Sequence, residues 1–210
     1  MLTPEVEQIA PALITTLDLL GIAVFAASGA LAAARKEQTL VTFAFFALVT
    51  GVGGGTVRDL LIGAPVFWVQ DWRFPATCLA TALAVWFTPV RVWSPRALDW
   101  FDAVGLAVYA VFGAWKALSL GIGPLPAMMM GVITACVGGI IRDVLAREPS
   151  ILMRPEIYVT AAALAAGLFV GLDWAGLPLS FAAPIGAVAG FALRALAISR
   201  GLAIPSYKPH

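Results

Sequence analysis

One glycine–arginine motif occurs twice in the chain, and the spacing of its copies constrains the fold more than any other feature. Residues 51–65 read GVGGGTVRDLLIGAP, and residues 135–149 read ACVGGIIRDVLAREP. The two blocks share a glycine pair, an Arg-Asp pair, a leucine and a proline, each 84 residues apart: Gly54, Gly55, Arg58, Asp59, Leu61 and Pro65 recur as Gly138, Gly139, Arg142, Asp143, Leu145 and Pro149. Because the blocks align without a gap, they predict an internal repeat.

The similarity extends well beyond the motif when residues 18–70 are placed on residues 102–154. Asp18 aligns with Asp102, Thr50 aligns with Thr134, and Phe25 aligns with another aromatic residue, Tyr109. Alanine matches carry little weight in segments so rich in alanine and glycine. The matches of polar residues and glycines therefore indicate that the repeat unit is longer than one helix.

Composition places the repeat in a membrane. The chain is 61% hydrophobic and 12% charged, with a mean hydropathy of +0.94, whereas soluble domains are about 45–50% apolar and about 25% charged. A helix that crosses a bilayer needs about 20 mostly apolar residues. We predict an all-α integral membrane protein with seven transmembrane helices, at residues 12–34, 39–57, 74–90, 101–120, 125–141, 157–172 and 179–198.

The number of spans in each repeat sets the topology. Each unit contains three spans, so the second unit enters the membrane in the opposite direction. We therefore predict one membrane domain over residues 1–210, with repeat one at about 12–90, repeat two at about 97–172 and a seventh helix at about 179–198. Inverted repeats are typical of transport proteins whose pathway runs between the two halves.

Basic residues predict the orientation. Ten of the thirteen Lys and Arg residues fall on one side of a seven-span topology: Arg35, Lys36, Arg91, Arg96, Arg142, Arg147, Arg154, Arg194, Arg200 and Lys208. Cytoplasmic loops carry the excess of Lys and Arg. We expect an N-terminus outside the cell and a cytoplasmic C-terminus.

Glycines in the middle of a membrane helix need an explanation, because each costs about 1 kcal/mol relative to Ala in a helix interior. One explanation is packing, since small residues let helices approach closely. The other is a kink that exposes backbone groups to a pathway. Two clusters at inverted positions, each four residues before an arginine, favour the kink. The candidate kink residues are Gly53, Gly54, Gly55, Gly138 and Gly139.

Charged residues at the span ends are the candidate pore or gating groups. Arg58 and Arg142 follow the two glycine clusters, and Asp59 and Asp143 follow the arginines directly. Lys116 lies near the end of the fourth span. Snorkelling to the interface is the alternative role for the basic residues, but ionisable groups inside a membrane are functional candidates by default.

Three further polar residues lie inside the predicted spans. Asp18 and Asp102 are a repeat pair and possible charge partners for the arginines, or they stabilise helix N-termini. Ser28 is a small polar group in the middle of span one, which can contribute to a pore or bond back to its own helix.

Several functional classes lack support in the sequence. No nucleophile–base pair, metal-ligand spacing or phosphate loop is present, so we expect no enzyme activity, no cofactor and no metal site. The net charge of +1 predicts no nucleic-acid partner.

The same motifs resemble a known family, the bacterial branch of the trimeric intracellular cation channels, also described as a putative glycine transporter domain. The resemblance covers about residues 12–198 and rests on the doubled unit and on GGGTVR, GGIIR, FAASGALAA and YAVFGAWKAL. It implies a homotrimer in which each subunit has its own pore for monovalent cations, mainly potassium. It also implies that spans two and five are kinked at the glycines and line that pore, and that Arg58, Arg142 and Lys116 occupy basic positions of the family.

Our leading functional hypothesis is therefore a potassium channel in the lipid of a bacterial inner membrane. A secondary transporter of a small solute such as glycine stays open, because inverted repeats and broken helices suit it equally well. Basic residues raise the electrostatic barrier for cations unless other groups offset them. We expect Arg58 and Arg142 to be tied to carboxylates, or to gate, rather than to select.

Overall fold

The described residues fold into α-helices joined by short connections. The computed structural model describes residues 4–89, 92–94, 96–153 and 155–205, with the backbone alone for residues 4–14 and Leu17. Its helices are α1 (Pro4–Arg35), α2 (Leu40–Leu61), α3 (Phe67–Gln70), α4 (Arg73–Phe87), α5 (Ala97–Ser119), α6 (Pro124–Leu145), α7 (Val159–Trp174) and α8 (Leu179–Arg200). A 3₁₀ turn, Ile151–Met153, lies between α6 and α7.

Each predicted span coincides with one helix, but the helices differ in their capacity to cross a bilayer. Five of them (α1, α2, α5, α6 and α8) are long and apolar enough to do so by length and composition. The other two, α4 and α7, have 15 and 16 residues, fewer than the roughly 20 that a perpendicular crossing needs. The number of seven spans therefore stays a prediction. The four-residue α3 was not predicted; it lies in the connection between the second and third predicted spans.

An isologous helix crossing lies at the centre of the molecule. A Cβ built on Gly54 of α2 would overlap the carbonyl oxygen of Thr134 in α6, and a Cβ built on Gly138 would overlap the carbonyl oxygen of Thr50. The two contacts interchange when each residue is replaced by its partner 84 positions away, which is the mark of a two-fold axis. Thr50 contacts Gly138, and Gly54, one turn later in α2, contacts Thr134, which is one turn earlier in α6. The two helices are therefore antiparallel. The repeats are inverted.

The first helices of the two repeats cross in the same manner. A Cβ on Gly21 of α1 would lie 2.5 Å from the Tyr109 ring in α5, and a Cβ on Gly105 would lie 2.8 Å from the Phe25 ring. These contacts also interchange under the 84-residue shift. Thus α1, α2, α5 and α6 form the centre of the bundle, and α4 and α7 complete the two three-helix units at its sides.

The outward faces of the helices are apolar. Exposed large side chains include Val41 and Phe45 on α2, Met129 on α6, and Phe181 and Val188 on α8. A soluble protein rarely exposes such continuous apolar surface, whereas lipid requires it. The buried polar residues, in contrast, collect inside the bundle.

Helix α8 packs on the second repeat. Its Gly186 and Gly190 lie against the α7 backbone at Ala165 and Ala161, so this glycine pair is buried within the subunit. The segment after α8 returns to the second repeat, where Glu156 and Ala203 form an isolated antiparallel bridge. Arg91, Arg154 and Lys208, three of the residues on which the predicted orientation depends, lie outside the described residues.

Candidate functional site

The helix ends place the two arginines inside the bundle. Helix α2 continues past the glycines to Leu61 and α6 continues to Leu145, so both Arg-Asp pairs lie in last helical turns. A left-handed residue closes each helix two residues later, Gly63 with φ 68° and Arg147 with φ 53°. A cation in the last turn is favourable for the helix dipole. Arg58 and Arg142 are each only 1% exposed.

Each arginine binds the aspartate that follows it. Arg58 Nε and Nη2 donate to Asp59 Oδ1 at 2.9 and 2.8 Å. Arg142 donates to Asp143 Oδ1 from the same two nitrogens at the same two distances. Since the guanidinium is held by its neighbour in sequence, the buried charge is neutralised locally in both repeats.

The second oxygen of each aspartate closes the following loop. Asp59 Oδ2 accepts a hydrogen bond from the Phe67 amide at 3.0 Å, and Asp143 Oδ2 accepts one from the Ile151 amide at 2.9 Å. These amides begin α3 and the 3₁₀ turn, respectively. The carboxylates therefore satisfy backbone donors that a helix start would leave unpaired.

We call Asp18, Arg58, Asp59, Tyr109 and Lys116 the first cluster. Lys116 Nζ lies 2.8 Å from Asp59 Oδ1, so two cations share that carboxylate. Asp18 does not bind Arg58. It accepts a hydrogen bond from the Tyr109 hydroxyl at 2.5 Å. Asp18 lies well inside α1 rather than at a helix start, so the helix N-terminus interpretation of this residue is wrong.

A partly open cavity of about 290 Å³ adjoins the first cluster. Charged and aromatic side chains line it, chiefly Asp18, Arg58, Lys116, Phe67, Phe112 and Trp115. The guanidinium of Arg58 lies over the rings of Phe67 and Phe112, 5.9 and 5.5 Å from their centroids. Such cation–π contacts stabilise a desolvated cation.

We call Ser28, Asp102, Arg142 and Asp143 the second cluster. Arg142 Nη1 donates to Asp102 Oδ1 at 2.6 Å and to Ser28 Oγ at 2.9 Å. The Ser28 hydroxyl donates in turn to the Phe25 carbonyl oxygen at 3.0 Å, so it bonds to its own helix and to the arginine. One cation here lies between two carboxylates, the reverse of the arrangement around Asp59.

Three substitutions between the repeats produce this difference. Tyr109 corresponds to Phe25, which has no hydroxyl to hold Asp102 away from Arg142. Lys116 corresponds to Ala32, and Phe112 corresponds to Ser28. The first cluster therefore has an aspartate held by tyrosine beside an open cavity, whereas the second has an aspartate bound to its arginine.

Three of the five predicted kink residues, Gly53, Gly54 and Gly138, lie where the two repeats touch. Helices α2 and α6 are continuous through the glycines, and Gly54 and Gly138 make the closest backbone approaches at the crossing. Gly55 lies against the Phe67 ring, and Gly139 lies against the Tyr158 hydroxyl. Packing thus accounts for these glycines, and a bend at them stays a prediction.

Sequence reasoning missed the aromatic and basic residues that surround the clusters. In the sequence, Tyr109 is only an aromatic match to Phe25, although its hydroxyl is what distinguishes the two residues. Arg194 is 1% exposed in α8, where its Nη2 lies 2.8 Å from Glu156 Oε2 and its guanidinium lies 5.3 Å from the Tyr158 ring centroid. Its position inside an otherwise uncharged span was the available signal.

Replacing Tyr109 by Phe is expected to reduce the free energy of unfolding by about 2 kcal/mol, because the charged Asp18 carboxylate loses the hydrogen bond that the Tyr109 hydroxyl donates to it. Tyr158→Phe is the comparison variant in the other repeat, and it should cost less, because the buried Tyr158 hydroxyl has no hydrogen bond as short as that of Tyr109. Denaturant titration of the purified protein in detergent measures both. Equal losses in the two variants would contradict the role of the Tyr109 hydroxyl.

Fold and clusters together define a multi-pass membrane protein of inverted repeats with a buried ion pair at each end of the central crossing. A family model described as "Glycine transporter" matches residues 15–89 and 99–174. A UPF0126 membrane protein of Vibrio cholerae is 44% identical over 167 residues, which span 75% of this chain and 66% of that protein. The UPF0126 inner membrane protein YadS of Escherichia coli K12 is 40% identical over 202 residues, 93% of this chain and 96% of YadS.

Solved structures share the fold over at least 90% of this chain. The TRIC trimeric intracellular cation channel orthologue from Rhodobacter sphaeroides is 44% identical and superposes with a TM-score of 0.83, over 90% of this chain and 98% of that one. A structure that concerns conductance through TRIC cation channels is 28% identical, with a TM-score of 0.84 over 93% and 98% of the two chains. The chain belongs to the TRIC family, in its bacterial branch.

Proposed function

We propose that the protein is a potassium-permeable cation channel with a pathway inside each subunit, along the antiparallel α2–α6 interface. The observation that carries the proposal is the pair of compensated arginine clusters on opposite sides of the central crossing. Arg58 lies four residues beyond Gly54, a little over one helical turn, and Arg142 has the same place relative to Gly138. The likeness to solved cation channels supports the same function.

Charge compensation answers the main objection to a cation pathway lined by arginines. An uncompensated guanidinium would repel cations. Here each arginine donates two hydrogen bonds to an aspartate, so neither presents a full positive charge. The arginines therefore act as fixed or movable closures of the pathway, and selectivity comes from elsewhere.

The cavity supplies a hydrated approach to the first cluster. At about 290 Å³ it has room for several waters, each of which occupies about 30 Å³ in the liquid. A cation can enter it with part of its hydration shell. Beyond the cavity, the glycine crossing narrows the path, and bending of α2 and α6 at Gly53, Gly54, Gly55, Gly138 and Gly139 would widen it.

The finer features of the proposal follow the family. We infer seven spans, with α4 and α7 as the two short ones, a homotrimer with one pathway in each subunit, and surrounding membrane lipid. We also place the N-terminus outside a bacterial inner membrane and the C-terminus in the cytoplasm, from the distribution of basic residues.

Bilayer recording of the purified protein tests the function. We expect discrete unitary currents in symmetric KCl, with a reversal potential that follows the potassium gradient when chloride is held equal. Proteoliposomes loaded for glycine counterflow provide the comparison. Saturable glycine uptake without unitary currents would replace the channel by a carrier, and failure to conduct or transport in both assays would overturn the transport function itself.

A further inference from the structure

We propose that the ion pair between Lys36 and Glu148 is a latch that holds the pathway shut at the end of the bundle where the second cluster lies. The distribution of basic residues places this end in the cytoplasm. The inference rests on the proposed function, because a latch needs a pathway to close. It assigns a conformational control to two residues that belong to neither cluster.

The ion pair connects the two repeats. Lys36 lies in the turn between α1 and α2, whereas Glu148 follows the end of α6. Lys36 Nζ lies 2.5 Å from Glu148 Oε1, and the two side chains are 39% and 44% exposed. An ion pair with this exposure contributes little to stability. It can therefore break and form again while the helices that it joins stay folded.

The repeat symmetry shows that this pair belongs to one end of the bundle. Lys36 corresponds to Leu120, and Glu148 corresponds to Ala64, so the other end has two apolar side chains at the equivalent places. Leu120 lines the cavity beside the first cluster. Lys36 therefore lies where the mouth of an equivalent second cavity would be, and it binds across that place to the other repeat.

The space beneath the latch is closed, whereas its counterpart at the first cluster is open. Trp115 and Lys116 line the open cavity and are both partly exposed. Their equivalents are Leu31 and Ala32, which are only 5% and 6% exposed. The two ends of the pathway are thus in different states, one accessible to water and one shut.

A chain of hydrogen bonds connects the latch to the second cluster. The Glu148 amide donates to the carbonyl oxygen of Asp143 at 3.0 Å, and the Asp143 carboxylate binds Arg142. The other oxygen of that carboxylate accepts a hydrogen bond from the Ile151 amide. A displacement of Glu148 away from Lys36 is therefore transmitted to the last turn of α6 and to the arginine within it.

The residues next to the latch have backbone conformations that a side chain disfavours. Glu37, directly after the lysine, has φ 52°, and Arg147, directly before the glutamate, has φ 53°. The equivalent residues at the other end are Gly121 and Gly63, with φ 78° and 68°. Glycine adopts this left-handed conformation at no steric cost, whereas other residues do not. Both turns at the latch are thus strained, as is common in segments that switch between two arrangements.

Unitary currents of Lys36→Gln, recorded in two backgrounds, test the latch. We expect this substitution to raise the ratio of open to closed time about threefold, which is within the range for an exposed ion pair. The same substitution added to Glu148→Gln should change nothing, because the lysine has no partner left to lose. Equal effects in the two backgrounds, or no effect in either, would overturn the proposal.

Thiol modification measures the closure without any current. Ala32→Cys places a thiol beneath the latch, and we expect a small water-soluble methanethiosulfonate to modify it about threefold faster once Lys36→Gln is added. Ser119→Cys, in the lining of the open cavity, is the matched control, and its rate should not respond to Lys36→Gln. The native Cys78 and Cys136 are buried, and the unsubstituted chain gives their background rate.

The two measurements separate the latch from the channel. Faster modification of Ala32→Cys in a protein that gives no unitary currents would support the latch and sink the channel. Unitary currents together with a modification rate that Lys36→Gln does not change would overturn the latch and leave the channel standing.

Discussion

Replacing Gly54 by Ala is expected to abolish the tight α2–α6 crossing and to lower the free energy of unfolding by at least 3 kcal/mol. The added Cβ would overlap the carbonyl oxygen of Thr134, which belongs to a helix backbone and cannot rotate away. Overpacking of a core usually costs 1–3 kcal/mol, and a clash with backbone lies at or beyond the upper end of that range. Gly138→Ala should behave alike, because its Cβ would overlap the Thr50 carbonyl oxygen.

The neighbouring glycine supplies the matched control. A Cβ on Gly53 would lie 3.5 Å from Ile141 Cδ1, an ordinary contact distance. Gly53→Ala should therefore leave stability unchanged or raise it by up to about 1 kcal/mol, since Ala is the better helix former. Denaturant titration in detergent measures all three variants. A Gly54→Ala protein as stable as Gly53→Ala would contradict the backbone contact.

The same pair separates packing from bending. If α2 must bend at its glycines to conduct, Gly53→Ala will reduce the open probability of unitary currents although the protein is stable. If Gly53 serves helix packing alone, the unitary currents of Gly53→Ala will match those of the unsubstituted chain. The measurement decides whether the glycine triplet serves packing or bending.

The repeat could be predicted from the sequence because a short motif within each copy is enough to identify it. Gly54, Arg58 and Asp59 recur at one fixed offset, and three spans in each unit require inversion whatever the packing. The contacts of Gly54 with Thr134 and of Gly138 with Thr50 are related by the same 84-residue offset. Family membership, too, follows from the same short motifs.

The partners of the charged side chains were not readable, because they depend on differences between the repeats. Asp18 and Asp102 are identical in sequence and occupy equivalent places. One binds Tyr109 and the other binds Arg142, and the choice rests on a single hydroxyl that Phe25 lacks. Side-chain reach across a helix interface, which decides such pairing, has no signature in residue spacing.

The ends of helices α2 and α6 also escaped prediction by several residues. Hydropathy ends a span at the first charged residue, so Arg58 and Arg142 appeared to begin polar connections. In the structure the hydrogen-bonded helix continues to Leu61 and Leu145, because the adjacent aspartates neutralise the guanidinium groups inside the bundle. Buried ion pairs thus extend a helix beyond its apolar segment.

Substitution of Arg142 by Gln is expected to be the most damaging single charge change, with a loss of about 3–5 kcal/mol in the free energy of unfolding. It would leave Asp102 and Asp143 buried together without a cation. Arg58→Gln is the matched variant in the other repeat. It should cost less than half as much, because Lys116 Nζ remains 2.8 Å from Asp59 Oδ1.

A double-mutant cycle shows whether the loss comes from the unpaired carboxylates. Adding Asp102→Asn to Arg142→Gln removes one of the two buried negative charges, so the double variant should recover at least 1 kcal/mol relative to Arg142→Gln. No recovery would mean that Arg142 acts through its packing rather than through its charge. The comparison of the two single variants is the sharper criterion. Equal losses of unfolding free energy in Arg58→Gln and Arg142→Gln would contradict the difference between the clusters, in which two cations share Asp59 but two carboxylates share Arg142.

Unitary currents of the same two variants then test the arginines as closures of the pathway. Arg58→Gln leaves the Asp59–Lys116 pair beside the cavity, so we expect a higher open probability with the cation selectivity preserved. Arg142→Gln exposes the pathway to two carboxylates, so we expect larger cation currents in whatever fraction of the protein folds. If conductance and open probability match those of the unsubstituted chain in both variants, the arginines hold the bundle together and have no part in gating.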